Sequence, residues 1–170
     1  MRRPDPKLFD GDTTYWLDRD PGDSNGGARN SVTELEGQKL AELAHGKSVC
    51  EIGTGTGFSA LCMNRHAHQV MSIDICPFVE KEVWPELREA GIICQNLRPM
   101  MWFDMIFIDG DHSALSVNRD LDWAEQCTDL IVCHDLHLAC SGPAIRQWCK
   151  IHGWKLEDLK TPQGLCALRR

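Results

Sequence analysis

S-V-C-E-I-G-T-G-T-G-F-S-A, Ser48 to Ala60, is the most informative stretch of the 170-residue chain. Val49, Cys50 and Ile52 form a short apolar run with strand character, in which Glu51 is the one charge. Gly53, Gly55 and Gly57 then break the run, and Ser59 to Met63 can continue as a helix. Strand, glycine turn, helix is the order in which a parallel sheet offers backbone N–H groups and a helix N-terminus to a ligand. A side chain at the glycines would obstruct that approach or forbid a positive φ. The spacing is G-x-G-x-G, not the G-x-G-x-x-G of a dinucleotide-binding loop. An acid two residues before the first glycine does not suit a diphosphate. It suits a ligand carrying an ammonium or sulfonium charge.

On both sides of this stretch the chain alternates between helix and strand patterns. Ser31 reads as an N-cap with Glu34 completing a capping box. Leu35, Leu40 and Leu43 give the helix that follows an apolar stripe, and Gly46 ends it. Gln69–Ile75 reads as a second strand and Phe78–Ala90 as a helix that Pro85 kinks or interrupts. Ile92–Gln95 is a short third strand, Asp104–Asp109 a fourth and Leu130–Cys133 a fifth, with helices over Ser113–Cys127 and Gly142–His152. Trp154–Leu159 and Leu165–Leu168 close the chain, joined by the hairpin-like turn Thr161-Pro162-Gln163-Gly164. The pattern predicts an α/β fold: a single Rossmann-like open sheet of about seven strands, mostly parallel with a C-terminal antiparallel hairpin, and helices on both faces. Ligands then gather at the carboxyl ends of the strands.

Residues 1–30, rich in Asp, Gly, Pro and Asn, carry no sustained periodicity and read as an arm, lid or loose tail before a domain spanning 31–170. The net charge of −7, with basic pairs only at the two ends, argues against nucleic acid as the main partner. No apolar run approaches the ~20 residues of a membrane span, and the N-terminus has no signal-peptide core. Nine cysteines at irregular spacing, most of them inside apolar runs, read as buried free thiols in a reducing compartment. That points to a cytoplasmic protein. The tryptophans at 84, 102, 123, 148 and 154 read as core or sheet-covering residues.

Two more stretches carry chemistry. F-I-D-G-D-H-S, Phe107–Ser113, leaves strand four, and C-H-D-L-H, Cys133–His137, leaves strand five. The topology brings Asp109, Asp111, His112, His134, Asp135 and His137 to one rim, where carboxylates and imidazoles can hold a divalent cation. Cys133, His134, His137 and Cys140 offer zinc-ligand types. Strand alternation, however, turns Cys133 away from His134.

The E-x-G-x-G-x-G form of Glu51–Gly57 resembles the first motif of class I S-adenosylmethionine (SAM) methyltransferases, and the resemblance runs from about Ser31 to the end. Within that class, G-T-G-T-G-F-S-A is most similar to the catechol O-methyltransferase-like and methyltransferase domain 24 small-molecule O-methyltransferases. The resemblance implies that Glu51, Gly53, Thr54, Gly55, Gly57 and Ser59 bind the methionine end of the cofactor. Ser59 would reach its carboxylate. It implies that Asp74, about twenty residues on, accepts the ribose hydroxyls, with Asn96 and Asp109 completing the pocket. Only Asn96–Phe103 separates strands three and four, too little for the helix usual there, so a more open adenine side is expected. Metal-dependent relatives carry an Asp after strand four and an acidic or Asp-Asn pair after strand five, positions that match Asp109, His134 and Asp135. Their Lys or His general base matches His112, while a His at 134 departs from the usual oxygen ligand. The implied activity is methyl transfer from SAM to a small-molecule hydroxyl, assisted by Mg²⁺ or Mn²⁺, with Asp109 and His112 catalytic. Metal-independent transfer to nitrogen or a macromolecule, and a non-catalytic SAM- or nucleotide-binding module, stay open, as does a homo-oligomer.

Overall fold

The computed structural model describes residues 32–170 of the protein, so the N-terminal arm or lid and the proposed cap at Ser31 lie outside the described residues. The described chain runs α1 (Glu34–Ala44), β1 (Ser48–Ile52), α2 (Phe58–Asn64), β2 (Gln69–Ile73), a π-turn (Val79–Val83), α3 (Trp84–Glu89), β3 (Ile93–Gln95), β4 (Met105–Ile108), α4 (Ala114–Ala124), β5 (Leu130–Cys133), α5 (Ser141–His152), β6 (Lys155–Asp158) and β7 (Cys166–Arg169). The seven strands form one sheet in the order β3-β2-β1-β4-β5-β7-β6. β1 to β5 are parallel to one another, and β7 enters antiparallel between β5 and β6. The expected open sheet with its terminal hairpin is the fold observed.

Two apolar layers cover it, as alternation along the strands requires. Cys50, Ile52, Ile106 and Ile131 face Leu121, Ile145 and Trp148 of α4 and α5. Val49, Val70, Phe107 and Val132 face Leu40, Met63, Trp84 and Leu87 of the helices on the other side. All nine cysteines are unpaired, and seven of them are buried. Among the described residues no helix is long and apolar enough to cross a membrane.

Local departures from the sequence expectations have physical causes. The cap of α1 is Thr33, whose side chain accepts from Glu36 N–H while Glu36 reaches back to the Thr33 backbone. The capping box is therefore T-x-x-E over 33–36, and Leu35 is turned out at 47% exposure. Before Pro85 the helical ladder slips to i→i−5, with Trp84 N–H donating to Val79 C=O. Proline lacks the N–H that would continue the α-helical ladder, and a π-turn absorbs the mismatch. Trp102 is 55% exposed and covers no sheet, unlike the four other tryptophans of that group, which are buried. As the short spacing predicts, no helix lies between β3 and β4.

Candidate functional site

At the carboxyl ends of β1 to β4 lies a cleft of about 720 Å³. Gly53 and Gly55 form one wall, Asp74 and Asn96 stand at the ends of β2 and β3, and Asp109 closes the floor. The glycines have different jobs. Gly53 takes φ +92°, and a Cβ there would lie 2.1 Å from the Asp109 carbonyl oxygen, so β1 and β4 approach as closely as they do because no side chain intervenes. Gly55, at φ +50°, meets nothing within 4 Å and presents bare backbone to the cleft.

Behind the loop, Glu51 is fully buried. Its position on β1 directs it toward α2, and the register pairs it with Ser72 on β2. Its carboxyl accepts from the hydroxyls of both Ser59 and Ser72. Thr54 Oγ1 lies 2.8 Å from Ser72 Oγ and extends the same buried network. Burial pushes the Glu51 carboxyl up to about 8, further than the two serine bonds can lower it. Glu51, Thr54 and Ser59 thus stand behind the cleft wall, supporting the loop from within, and Gly57 starts α2 at φ +84°.

Asp74 is the loop's other anchor. Its Oδ2 accepts the N–H groups of Thr54 at 2.9 Å and Gly55 at 3.2 Å, and its Oδ1 that of Cys76 at 2.8 Å. Three of the roughly four acceptor positions of the carboxylate are therefore used within the protein. Ile75 and Leu97, at 87% and 75% exposure, add apolar surface on either side of the cleft. Sequence reasoning missed both, although each directly follows a residue it had chosen. It also missed Arg98, whose guanidinium pairs in the cleft with the buried carboxylate of Asp120.

One end of the cleft continues into a polar cluster. Ile108 and Cys133 are register partners on β4 and β5, so Asp109 and His134, the next residue on each strand, emerge side by side. His134 Nδ1 lies 3.2 Å from Asp109 Oδ1 and 3.2 Å from Asp135 Oδ2, and these three residues place ligand atoms within 4.8 Å of one another. His112 Nδ1 is 2.9 Å from Asp135 Oδ2. Burial opposes charge on His134, but bonds to Asp109, Asp135 and Glu36 hold its imidazole up at about 12. The Asp135 bond raises His112 above its ordinary value. Burial raises Asp109, which His134 only partly offsets, whereas His112 and His134 outweigh burial at Asp135 and hold it well below the carboxylate range.

Asp135 occupies the left-handed region at φ +60°, unusual for a non-glycine residue. Ser141 Oγ donates to its carbonyl at 2.7 Å, and Leu136 N–H donates to Gly164 C=O at 2.9 Å, so the β6–β7 turn helps to hold it. Asp111 does not join the cluster. Its carboxylate accepts from the N–H and hydroxyl of Ser113, the N-cap of α4, and from the hydroxyl of Ser116. His137 faces Asp158 at 3.8 Å, and Cys133 packs against its register partner Cys166, so the cysteine–histidine set for zinc is dispersed.

Sequence reasoning also missed Glu36. This fully buried carboxylate reaches from α1 to within 3.4 Å of His134 Nε2. Burial would raise it, yet His134 and Thr33 bring it down to about 2. The T-x-x-E spacing could have marked it as a cap, but nothing local marks a contact 98 positions away.

No family model and no curated protein matches the sequence. Solved structures do. Cofactor-bound Rv0187 from MTB superposes with a TM-score of 0.68 at 21% identity, over 84% of this chain and 82% of its own. The ribosomal protein L11 methylase of Lactobacillus delbrueckii subsp. bulgaricus gives 0.60 at 18%, over 80% and 75%. PH1948 from Pyrococcus horikoshii gives 0.63 at 13%, over 81% and 83%. With this sheet order and these neighbours, the chain has the Rossmann-like fold of the class I methyltransferases.

Proposed function

We infer that the protein is a SAM-dependent O-methyltransferase acting on a small-molecule hydroxyl, with help from a divalent cation. One observation carries this reading: Asp109 belongs both to the glycine-walled cleft and to the cluster of His134, Asp135 and His112. A cofactor held in the cleft and an acceptor held at the cluster would meet there. The cleft fits SAM in kind. Bare backbone at Gly55 admits the methionine end, Asp74 keeps acceptor capacity for a ribose hydroxyl, and exposed Ile75 and Leu97 suit a planar base. Two carboxylates and an imidazole within 4.8 Å suit a divalent ion.

SAM supplies a methyl group already activated on a sulfonium. A cation held by Asp109, His134 and Asp135 would lower the pKa of an acceptor hydroxyl. Asp109 fixes the distance between the two half-sites, because its backbone N–H is held by Ile52 C=O at 2.8 Å. His112, half-exposed at the rim, takes the hydroxyl proton at its free nitrogen, with Asp135 orienting the ring through Nδ1.

A second reading is transfer to a macromolecule. The helix-free connection between β3 and β4 favours it, since it leaves one side of the cleft uncovered, and the L11 methylase shares the fold. Calorimetric titration with S-adenosylhomocysteine, with and without Mg²⁺ or Mn²⁺, tests the cofactor reading directly. Saturable binding is expected, and its absence under both conditions would remove the assignment. Methyl transfer to catechol-type acceptors that stops with a chelator supports the small-molecule reading. Chelator-resistant methylation of protein or RNA supports the second.

A further inference from the structure

Glu36 has a geometry that capping α1 does not require. Its Oε2 takes the Thr33 backbone N–H and hydroxyl, each at 2.8 Å, and its Oε1 takes the Gln163 N–H at 3.0 Å. The carboxylate is thereby locked between α1 and the turn that joins β6 to β7. From that fixed position it faces Nε2 of His134, a side chain only 5% exposed. A carboxylate accepts and cannot donate, so the imidazole presents Nε2–H to Glu36. Nδ1 is then the nitrogen aimed between Asp109 and Asp135, at 3.2 Å from each. Without a metal, a proton on Nδ1 bridges to the two carboxylates, and a divalent ion bound there would take that proton's place between the same three groups. A carboxylate behind the imidazole, with the other nitrogen aimed at the ion, is the arrangement that fixes ring orientation and raises ligand basicity in metal sites.

We propose that Glu36 is a positioning residue that holds His134 as an Nδ1 ligand, so that the Asp109–His134–Asp135 site selects a transition divalent ion over Mg²⁺. The proposal rests on the metal-assisted reading above. Mg²⁺ favours oxygen ligands and keeps its waters, whereas imidazole nitrogen suits Mn²⁺ and later first-row ions, with affinity rising along the series. Replacing one oxygen ligand by a backed imidazole moves the site in that direction.

The test is calorimetric titration of the full chain with Mg²⁺, Mn²⁺ and Co²⁺, together with pulsed electron paramagnetic resonance of the Mn²⁺ complex. The wild type should bind Mn²⁺ about tenfold or more tightly than Mg²⁺, and Co²⁺ more tightly still. Its Mn²⁺ spectrum should show coupling to one directly bound nitrogen. Glu36→Gln should weaken Mn²⁺ roughly tenfold to a hundredfold and shrink the Mn²⁺-to-Mg²⁺ ratio, with S-adenosylhomocysteine binding kept. A merely structural role would leave that ratio unchanged. His134→Asn restores an oxygen donor, and should abolish the nitrogen coupling and most of the preference. It decides the ligand assignment even if Glu36→Gln does not fold. Metal binding without nitrogen coupling, or an unchanged ratio in folded Glu36→Gln, overturns the role of Glu36 and leaves the metal site standing. If the wild type binds S-adenosylhomocysteine but no divalent ion, the metal-assisted reading falls and this proposal with it.

Discussion

Asp109 Oδ1 and His134 Nδ1 lie 3.2 Å apart at the ends of adjacent strands, and the strand register alone brings them together. Through this contact the cleft and the polar cluster are one site. Asp109→Asn keeps the shape and backbone of the β4 end but removes a charge and a ligand oxygen. We expect methyl transfer to fall by at least about a hundredfold, the scale of losing a main electrostatic group at a reacting centre. Calorimetry should show metal affinity lost and S-adenosylhomocysteine binding reduced much less. Equal loss of both would place Asp109 in cofactor binding only.

Two glycines of the loop should respond in opposite ways. Gly53→Ala puts a methyl group 2.1 Å from the Asp109 carbonyl at a positive φ, so β1 and β4 must separate. Urea denaturation should show a loss of about 3 kcal/mol or more. Gly55→Ala has open space around it and only its φ of +50° to resist, so it should cost about 1 kcal/mol. Gly55 lines the cleft, and S-adenosylhomocysteine affinity should drop instead.

Glu51 ties stability to pH. Its folded value, about 8, lies above the ordinary carboxyl value of 4.5, so the folded state holds a proton that the unfolded state releases. Its stabilising contribution is complete below 4.5 and is lost as pH rises toward 8. One proton corresponds to a slope of at most about 1.4 kcal/mol per pH unit. Glu51→Gln, uncharged at every pH, should flatten the fall in unfolding free energy measured between pH 5 and 8. An identical slope in the variant would show that another group carries it.

His112 should titrate above 6.5, because Asp135 favours its charged form. NMR titration of the metal-free protein should show its ring midpoint above that value, and Asp135→Asn should lower it. A general base must be unprotonated, so kcat/KM of the metal-loaded enzyme should rise with pH through the midpoint His112 has in that state, which a cation held by Asp135 sets below the metal-free one. His112→Gln should remove that limb and reduce kcat while leaving cofactor affinity nearly intact. Unchanged turnover in His112→Gln would remove the base assignment.

The sequence alone carried the fold. Strand-length apolar runs, glycine punctuation and helical stripes are local patterns, and they located all seven strands to within a residue or two, including Leu130–Cys133 to the residue. It also located the two carboxylate-bearing strand ends, because residues that leave parallel strands in the same direction must share a rim. What it did not carry was where side chains point once helices dock. Glu51 looks like a residue for a cationic ligand until burial under α2 turns it to Ser59 and Ser72. Asp111 looks like a ligand until Ser113 and Ser116 at the start of α4 claim it. Glu36 looks like a capping acid until the docking of α1 sets it 3.4 Å from His134. Periodicity along a chain reports which face is apolar, and packing in three dimensions decides which polar groups meet. Only tertiary structure made Glu36 and His134 neighbours.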